Sequence, residues 1–379
     1  MFYMPGLYLH IPFCPRKCHY CDFFSVPASN SQLKTYPELL IQHLGWSASQ
    51  GWTGKFDTIY FGGGTPSLLS PSSIGKIIAA VDQNFTIAKD AEITLEANPG
   101  TVTQQRLADY RSAGVNRLSL GLQTCNDHLL KGLGRLHDRR QGLQSFESAR
   151  QAGFTNISLD LMFALPGQSR EDLEEDLQTY LDLAPEHFSC YGLTAEPGTP
   201  LHAKVTSGAL SLPDEDLYAD SFMVLHDQLS AAGYTHYEIA NYARDGFDCR
   251  HNLGYWERRP YLGIGAGAHS FHAKGWGSRH TVPQDLHLFR ESLSDGRDPG
   301  LCLETFDRES ALRETVYLAL RTRSGILDSR LIDQFGCTLE NAFPQAIKAS
   351  KPWLKNVSGR WSFNPEGWLL FDHLILNFL

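Results

Sequence analysis

The chain has 379 residues, of which 42% are apolar and 20% charged, and a net charge of −9. Wholesale disorder is excluded because so apolar a chain can bury a sizeable core, and the acidic balance speaks against a general nucleic-acid binder. No apolar run approaches the roughly 20 residues needed to span a bilayer, and residues 1–5 lack the basic and long apolar segments of a secretory leader, so the expectation is a cytoplasmic protein that is not integral to a membrane.

Strand-like and helix-like stretches alternate along the chain. Residues 6–12 read as a strand and 33–44 as a helix; then come strand 56–62, helix 72–85, strand 91–98 and helix 104–113. Strand 115–123, helix 138–152, strand 156–164, helix 170–183 and strand 187–193 continue the series, followed by helix 215–232 and strand 235–241. An Ala-Gly step recurs at Ala113-Gly114, Ala152-Gly153 and Ala232-Gly233, where glycine suits the left-handed residue that ends a helix. Repeated βα units predict a parallel sheet, here a full or partial (β/α) barrel. Alternate strand residues point to opposite faces, so Leu118, Leu120 and Leu122 oppose Ser119, Gly121 and Gln123. In the same way Leu95 opposes Glu96, and Leu161 opposes Asp160. One face is aliphatic and lies under helices; the other is small and polar, as in a barrel that holds a large polar ligand.

The character changes near residue 285. Stretches 311–321, 329–335 and 341–350 read as helices, 353–365 as a hairpin turning at Ser358-Gly359, and 368–378 as a final helix. The division predicted is a barrel over 1–285 and a winged-helix-like α+β domain over 286–379. That domain lacks a basic stripe and reads as a lid or partner surface.

Three of the eight cysteines crowd into one segment: Cys14, Cys18 and Cys21, spaced C-x3-C-x2-C, directly after the first strand. In a barrel that is the rim where active sites lie. Three thiolates can hold three irons of a [4Fe–4S] cluster and leave the fourth open; a zinc site that adds His19 is the competing reading. The scattered Cys125, Cys190, Cys249, Cys302 and Cys337 read as ordinary buried or surface thiols.

The spacing resembles the radical S-adenosylmethionine (SAM) superfamily. Tyr8-x-His10-Ile11-Pro12-Phe13-Cys14 and Gly62-Gly63-Gly64-Thr65-Pro66-Ser67 are similar to the branch containing oxygen-independent coproporphyrinogen III oxidases and the related heme chaperones. The resemblance implies a radical SAM partial barrel, an open iron that takes the amino and carboxylate groups of SAM, and an electron donor to the cluster. It also implies SAM contacts at Tyr8, Tyr20, Gly63, Gly64, Thr65, Glu96, Gln123, Arg135 and Asp160. Oxidases extend the motif to C-x3-C-x2-C-x-C, whereas position 23 here is Phe23, as in the chaperone branch. His251-Asn252-Leu253-Gly254-Tyr255-Trp256 is similar to the HNxxYW motif of that branch, which implies heme binding by His251, Asn252, Tyr255 and Trp256. An imidazole can ligate heme iron, and the aromatic rings offer flat faces to a porphyrin. His269, in the compact small-residue turn 263–270, is left open as a contact to SAM or heme or as part of a turn that merely closes the barrel. The function so implied is a heme chaperone that delivers heme to acceptor hemoproteins; the alternative is the oxidase, which decarboxylates coproporphyrinogen III.

Overall fold

The computed structural model describes residues 4–379; residues 1–3, part of the stretch read for a leader, lie outside the described residues. Twelve strands form the main sheet: β1 (Gly6–Ile11), β2 (Lys55–Gly63), β3 (Thr86–Ala97), β4 (Arg117–Gln123), β5 (Ile157–Phe163), β6 (His187–Gly192), β7 (Thr235–Glu238), β8 (Asn241–Ala243), β9 (Tyr261–Ile264), β10 (His269–His272), β11 (Ser278–Thr281) and β12 (Leu301–Thr305). Their order is β12-β11-β10-β9-β1-β2-β3-β4-β5-β6-β8-β7. The strands β9 and β1 to β6 run parallel. β9 pairs with β1 rather than with β6, so the barrel stays open.

The crossover helices start where the sequence supplies caps. Ser29 with Gln32, Asp138 with Gln141 and Ser169 with Asp172 form reciprocal capping boxes ahead of Asn30–Ser49, Arg139–Gln151 and Arg170–Leu183. The Ala-Gly steps take the expected left-handed glycine, with φ of 111°, 89° and 87° at Gly114, Gly153 and Gly233. Under the helices lies one continuous apolar core that runs from Leu7 to Phe378.

Side-chain parity follows the alternation read from sequence. Leu95, Leu122 and Leu161 are buried in the aliphatic layer, and Leu122 stands against Gly142 of helix Arg139–Gln151. Gln123 Nε2 comes to the other face, beside Gly121 and Arg135. A bulge intervenes: Gly121 pairs with Asp160 and Gln123 with Leu161, and Gln123 adopts a left-handed φ of 70°.

Four boundaries differ from expectation. The strand expected over 235–241 is a hairpin, β7 and β8 paired antiparallel, closed by the Asn241 amide donating to the Glu238 carboxylate. The helix expected over 341–350 breaks at Pro344, which has no N–H to continue it, into Leu339–Ala342 and Pro344–Ser350. The final helix is likewise split, into Pro365–Leu369, Phe371–Ile375 and a last 3-10 turn. The main sheet also continues past 285: β12 pairs with β11, and helix Leu286–Ser294 sets Phe289 against Tyr36 and His43. The different architecture begins with helix Arg308–Leu320. Beyond it, Ile326–Leu327, Arg360–Phe363 and Leu354–Val357 make a three-stranded sheet with helix Asp328–Phe335 and the broken helix alongside, the arrangement of a winged helix. Among the described residues no helix is long and apolar enough to cross a membrane.

Glu238 joins the two parts, since its backbone bridges antiparallel to Thr322. Burial raises its carboxyl to about 7, against a partial offset from Asn241. The native state therefore keeps a proton that the unfolded chain releases above the ordinary value of 4.5, and this group's stability contribution is lost as pH rises from about 4.5 to 7, by up to roughly 1.4 kcal/mol per pH unit. Thermal melts between pH 5 and 8 should show wild type losing more stability than Glu238→Gln over that window.

Candidate functional site

β1 delivers the chain to the cysteine loop, whose base is closed by a short parallel bridge of Phe13–Cys14 with Val26–Pro27. All three thiols are free and half-buried. The Phe13 backbone crosses directly over Gly64, where a Cβ would stand 2.7 Å from the Phe13 carbonyl oxygen. Gly63, at φ 113°, lies against the His10 ring, 2.6 Å from where a Cβ would sit. These close approaches bring the end of β2 under the loop. The next residue, Thr65, directs its hydroxyl to Cys14 Sγ at 3.5 Å.

A chain of hydrogen bonds then links two of the thiols. Asn98 Nδ2 donates to Thr65 Oγ1 at 2.9 Å, and Arg135 Nη2 donates to Asn98 Oδ1 at 2.5 Å and to the Gly121 carbonyl at 2.6 Å. Arg135 Nη1 reaches Cys18 Sγ at 3.7 Å. Sequence reasoning missed Asn98. The signal was a polar residue just beyond the carboxyl end of a barrel strand. From within the loop, Arg16 Nη2 donates to the Gly134 carbonyl at 2.8 Å, and His19 Nδ1 bonds the Gly132 carbonyl at 3.0 Å.

Burial pushes the Cys21 thiol up to about 11, and bound iron would hold it as thiolate. No three His, Cys, Asp or Glu side chains among the described residues converge on one ion. Three sulfurs on a single zinc, at ~2.3 Å each, would crowd to about 3.8 Å apart. A cubane spreads its thiolates over three separate irons, and His19 Nδ1 is taken up by the Gly132 carbonyl.

The polar face of the sheet lies beside this loop. Glu96 accepts from Tyr60 Oη at 2.8 Å and from Gly63 N at 3.1 Å, so it also fastens the glycine turn. Burial raises its carboxyl to about 7, with Asp160 adding to the shift. Asp160 accepts from Ser119 Oγ at 2.9 Å and is raised chiefly by burial, against the pull of Ser119, Arg117 and Arg135. Tyr8, Glu96 and Asp160 all keep partial exposure inside the sheet, and Arg135 Nε is buried with no partner. Carboxylates held at the cost of desolvation beside an unsatisfied guanidinium donor suit a ligand that carries cationic groups, hydroxyls and a carboxylate, as SAM does. Tyr20 packs on a separate apolar cluster that includes Leu133, Met162 and Leu201.

The segment resembling HNxxYW forms helix Arg250–Trp256, with Glu92 accepting from the backbone N–H groups of Arg250 and His251, each at 3.2 Å. His251 is 3% exposed, and its ring stacks on Tyr60 at 5.0 Å. Nδ1 bonds Thr58 Oγ1 and Nε2 bonds Tyr255 Oη, each at 2.8 Å. Both ring nitrogens are engaged, and His251 is a buried part of the barrel interior. Asn252 is half-buried on the same turn. Tyr255 and Trp256 instead line a cavity of about 560 Å³. Its other lining residues include Tyr8, His10, Phe23 and Phe24 at the cysteine loop, and Arg258, His269 and Arg279. The indole N–H of Trp256 is buried without a partner. Sequence reasoning did not foresee the three-sided meeting of this helix, the cysteine loop and β10–β11.

The radical SAM superfamily model matches residues 8–180. The heme chaperone HemW of Bacillus subtilis (strain 168) is 34% identical, over 99% of this chain and 99% of its own. HemW of Escherichia coli (strain K12) is 42% identical over 70% of this chain and 69% of its own. The fold is similar to that of coproporphyrinogen III oxidase (HemN) from Escherichia coli, a radical SAM enzyme, with a TM-score of 0.84 and 22% identity over 99% of this chain and 90% of that one. With a superfamily match over the cysteine loop and the first strands, and HemW relatives aligned from end to end, this chain belongs to the HemW family of the radical SAM superfamily.

Proposed function

We propose that this chain is a cytoplasmic heme chaperone that carries a [4Fe–4S] cluster and SAM at its three-cysteine loop, binds heme beside it, and hands heme to acceptor hemoproteins. The observation that carries this reading is the aromatic cavity, in which Tyr255 and Trp256 of the HNxxYW-like helix meet Phe23 and Phe24 of the cysteine loop. Relatives named as heme chaperones along the full length support it. Phe23, at the place of the oxidases' fourth cysteine, is 66% exposed and gives the cavity an apolar face instead of a thiol.

In this reading Cys14, Cys18 and Cys21 hold three irons. The bound cluster would supply one-electron chemistry, fed by an external electron donor, and an open iron for SAM. Gly63, Gly64 and Thr65 present backbone and hydroxyl groups at the rim. Arg135 would take a carboxylate in its planar fork, while Glu96 and Asp160 offset positive charge and accept from hydroxyls. Tyr8 and Gln123 border the same space, and Tyr20 fixes the loop between two of the cysteines by packing on its apolar cluster.

Replacing Cys14, Cys18 and Cys21 by alanine should abolish iron–sulfur absorption after anaerobic reconstitution, whereas the same change at Cys125, Cys190, Cys249, Cys302 or Cys337 should leave it intact. Zinc at one equivalent with no acid-labile sulfide would defeat the cluster. A second measurement separates chaperone from oxidase. Reconstituted protein given SAM and a reductant should bind hemin and leave coproporphyrinogen III unchanged; steady decarboxylation with no heme retained would overturn the chaperone reading.

A further inference from the structure

We propose that His269 supplies the axial imidazole to heme iron in the cavity, with Arg258 and Arg279 receiving the propionates. This rests on the heme-chaperone reading and assigns the ligand within it. Three histidines stand at or next to the cavity. His251 has both ring nitrogens bonded, as above. His10 has both engaged as well, Nδ1 with Tyr8 Oη at 2.9 Å and Nε2 with the Phe24 carbonyl at 3.0 Å. His269 differs: it is exposed at the start of β10, and its ring is held only by a 3.5 Å contact from Nε2 to Thr281 Oγ1. Its Nδ1 is therefore open to a metal without the loss of a structural hydrogen bond.

The surroundings match the rest of the molecule that such a ligand would hold. A porphyrin is flat and apolar with two carboxylates along one edge. Phe23 and Trp256 offer ring surface in the cavity. Arg258 and Arg279, which also line it, share a single carboxylate, that of Glu314, with Arg258 Nε at 2.5 Å from Oε2 and Arg279 on Oε1. Glu314 is shared by two guanidinium groups, and although Arg258 also gives Nη2 to the Trp276 carbonyl, Arg279 has more N–H donors than Glu314 can use. That excess is what a propionate would meet.

The test is hemin titration of the full-length, anaerobically reconstituted protein. His269→Ala should weaken hemin binding roughly tenfold or more, abolish the iron–histidine stretch of the ferrous complex in resonance Raman spectra, and recover it when free imidazole is added. Cluster absorption should be unchanged, which shows that the variant is folded. Wild type should prefer hemin over its dimethyl ester, and Arg279→Gln should erase that preference. A His269→Ala protein that binds hemin with wild-type affinity and keeps the iron–histidine stretch would overturn the assignment while leaving the chaperone reading standing. A wild-type protein that binds no hemin would overturn both.

Discussion

The contact on which the site depends is the crossing of the Phe13 backbone over Gly64. There is no room between them for a methyl group, and the Gly64 N–H donates to the Ile11 carbonyl at 2.9 Å. An added Cβ would break that bond or lift the loop, and over-packing of this kind costs roughly 1–3 kcal/mol even where the surroundings yield. The glycines of this turn thus serve close packing rather than flexibility. Because the loop is pressed onto the end of β2, Thr65 lands on Cys14, Asn98 reaches Thr65, and Arg135 closes the chain at Cys18. One steric allowance fixes where two thiols stand relative to three strands.

The HNxxYW-like helix divides its labour by helical spacing. His251 and Tyr255 are four residues apart, on one face, and bond to each other inside the barrel beneath Tyr8 and Tyr60. Trp256 falls on the adjoining face, toward the cavity and toward Arg321, which covers its ring at 4.7 Å. The histidine holds the helix in place, and Tyr255 and Trp256 line the cavity. The Arg258–Glu314–Arg279 cluster does similar work, because Glu314 lies on the first helix of the carboxyl-terminal part. That part is tied to the cavity wall by charge as well as by the shared core.

What could be read from sequence was whatever is periodic or punctuated. Period-two alternation placed Glu96 and Asp160 on one face and Leu95 and Leu161 on the other, and the assignment of Leu122 and Gln123 survives a bulge that no alternation could reveal. Ala-Gly steps marked three helix ends to within a few residues. The β7–β8 hairpin was not legible, because Ile239-Ala240 carries no turn chemistry and the reversal is made by a side chain, Asn241 on Glu238. The bonding of His251 was not legible for a related reason. A histidine beside aromatic residues has the same sequence whether its nitrogens are free or bonded, and its partner Thr58 lies 193 residues away. The cysteine spacing was legible, but Asn98 between the thiols was not, since nothing local sets it apart from any other strand end.

The seventh parallel strand docks on β1 and leaves β6 to an antiparallel hairpin, so the sheet ends in two edges instead of closing. In a closed barrel, strand number and stagger set the circumference, and the lumen cannot widen without breaking a ladder of hydrogen bonds. Here the lumen can change girth by twist alone, like a cuff that is not buttoned, with every ladder intact. The polar interior is thereby spared a fixed diameter, and a bulky guest need not have been present when the walls were built.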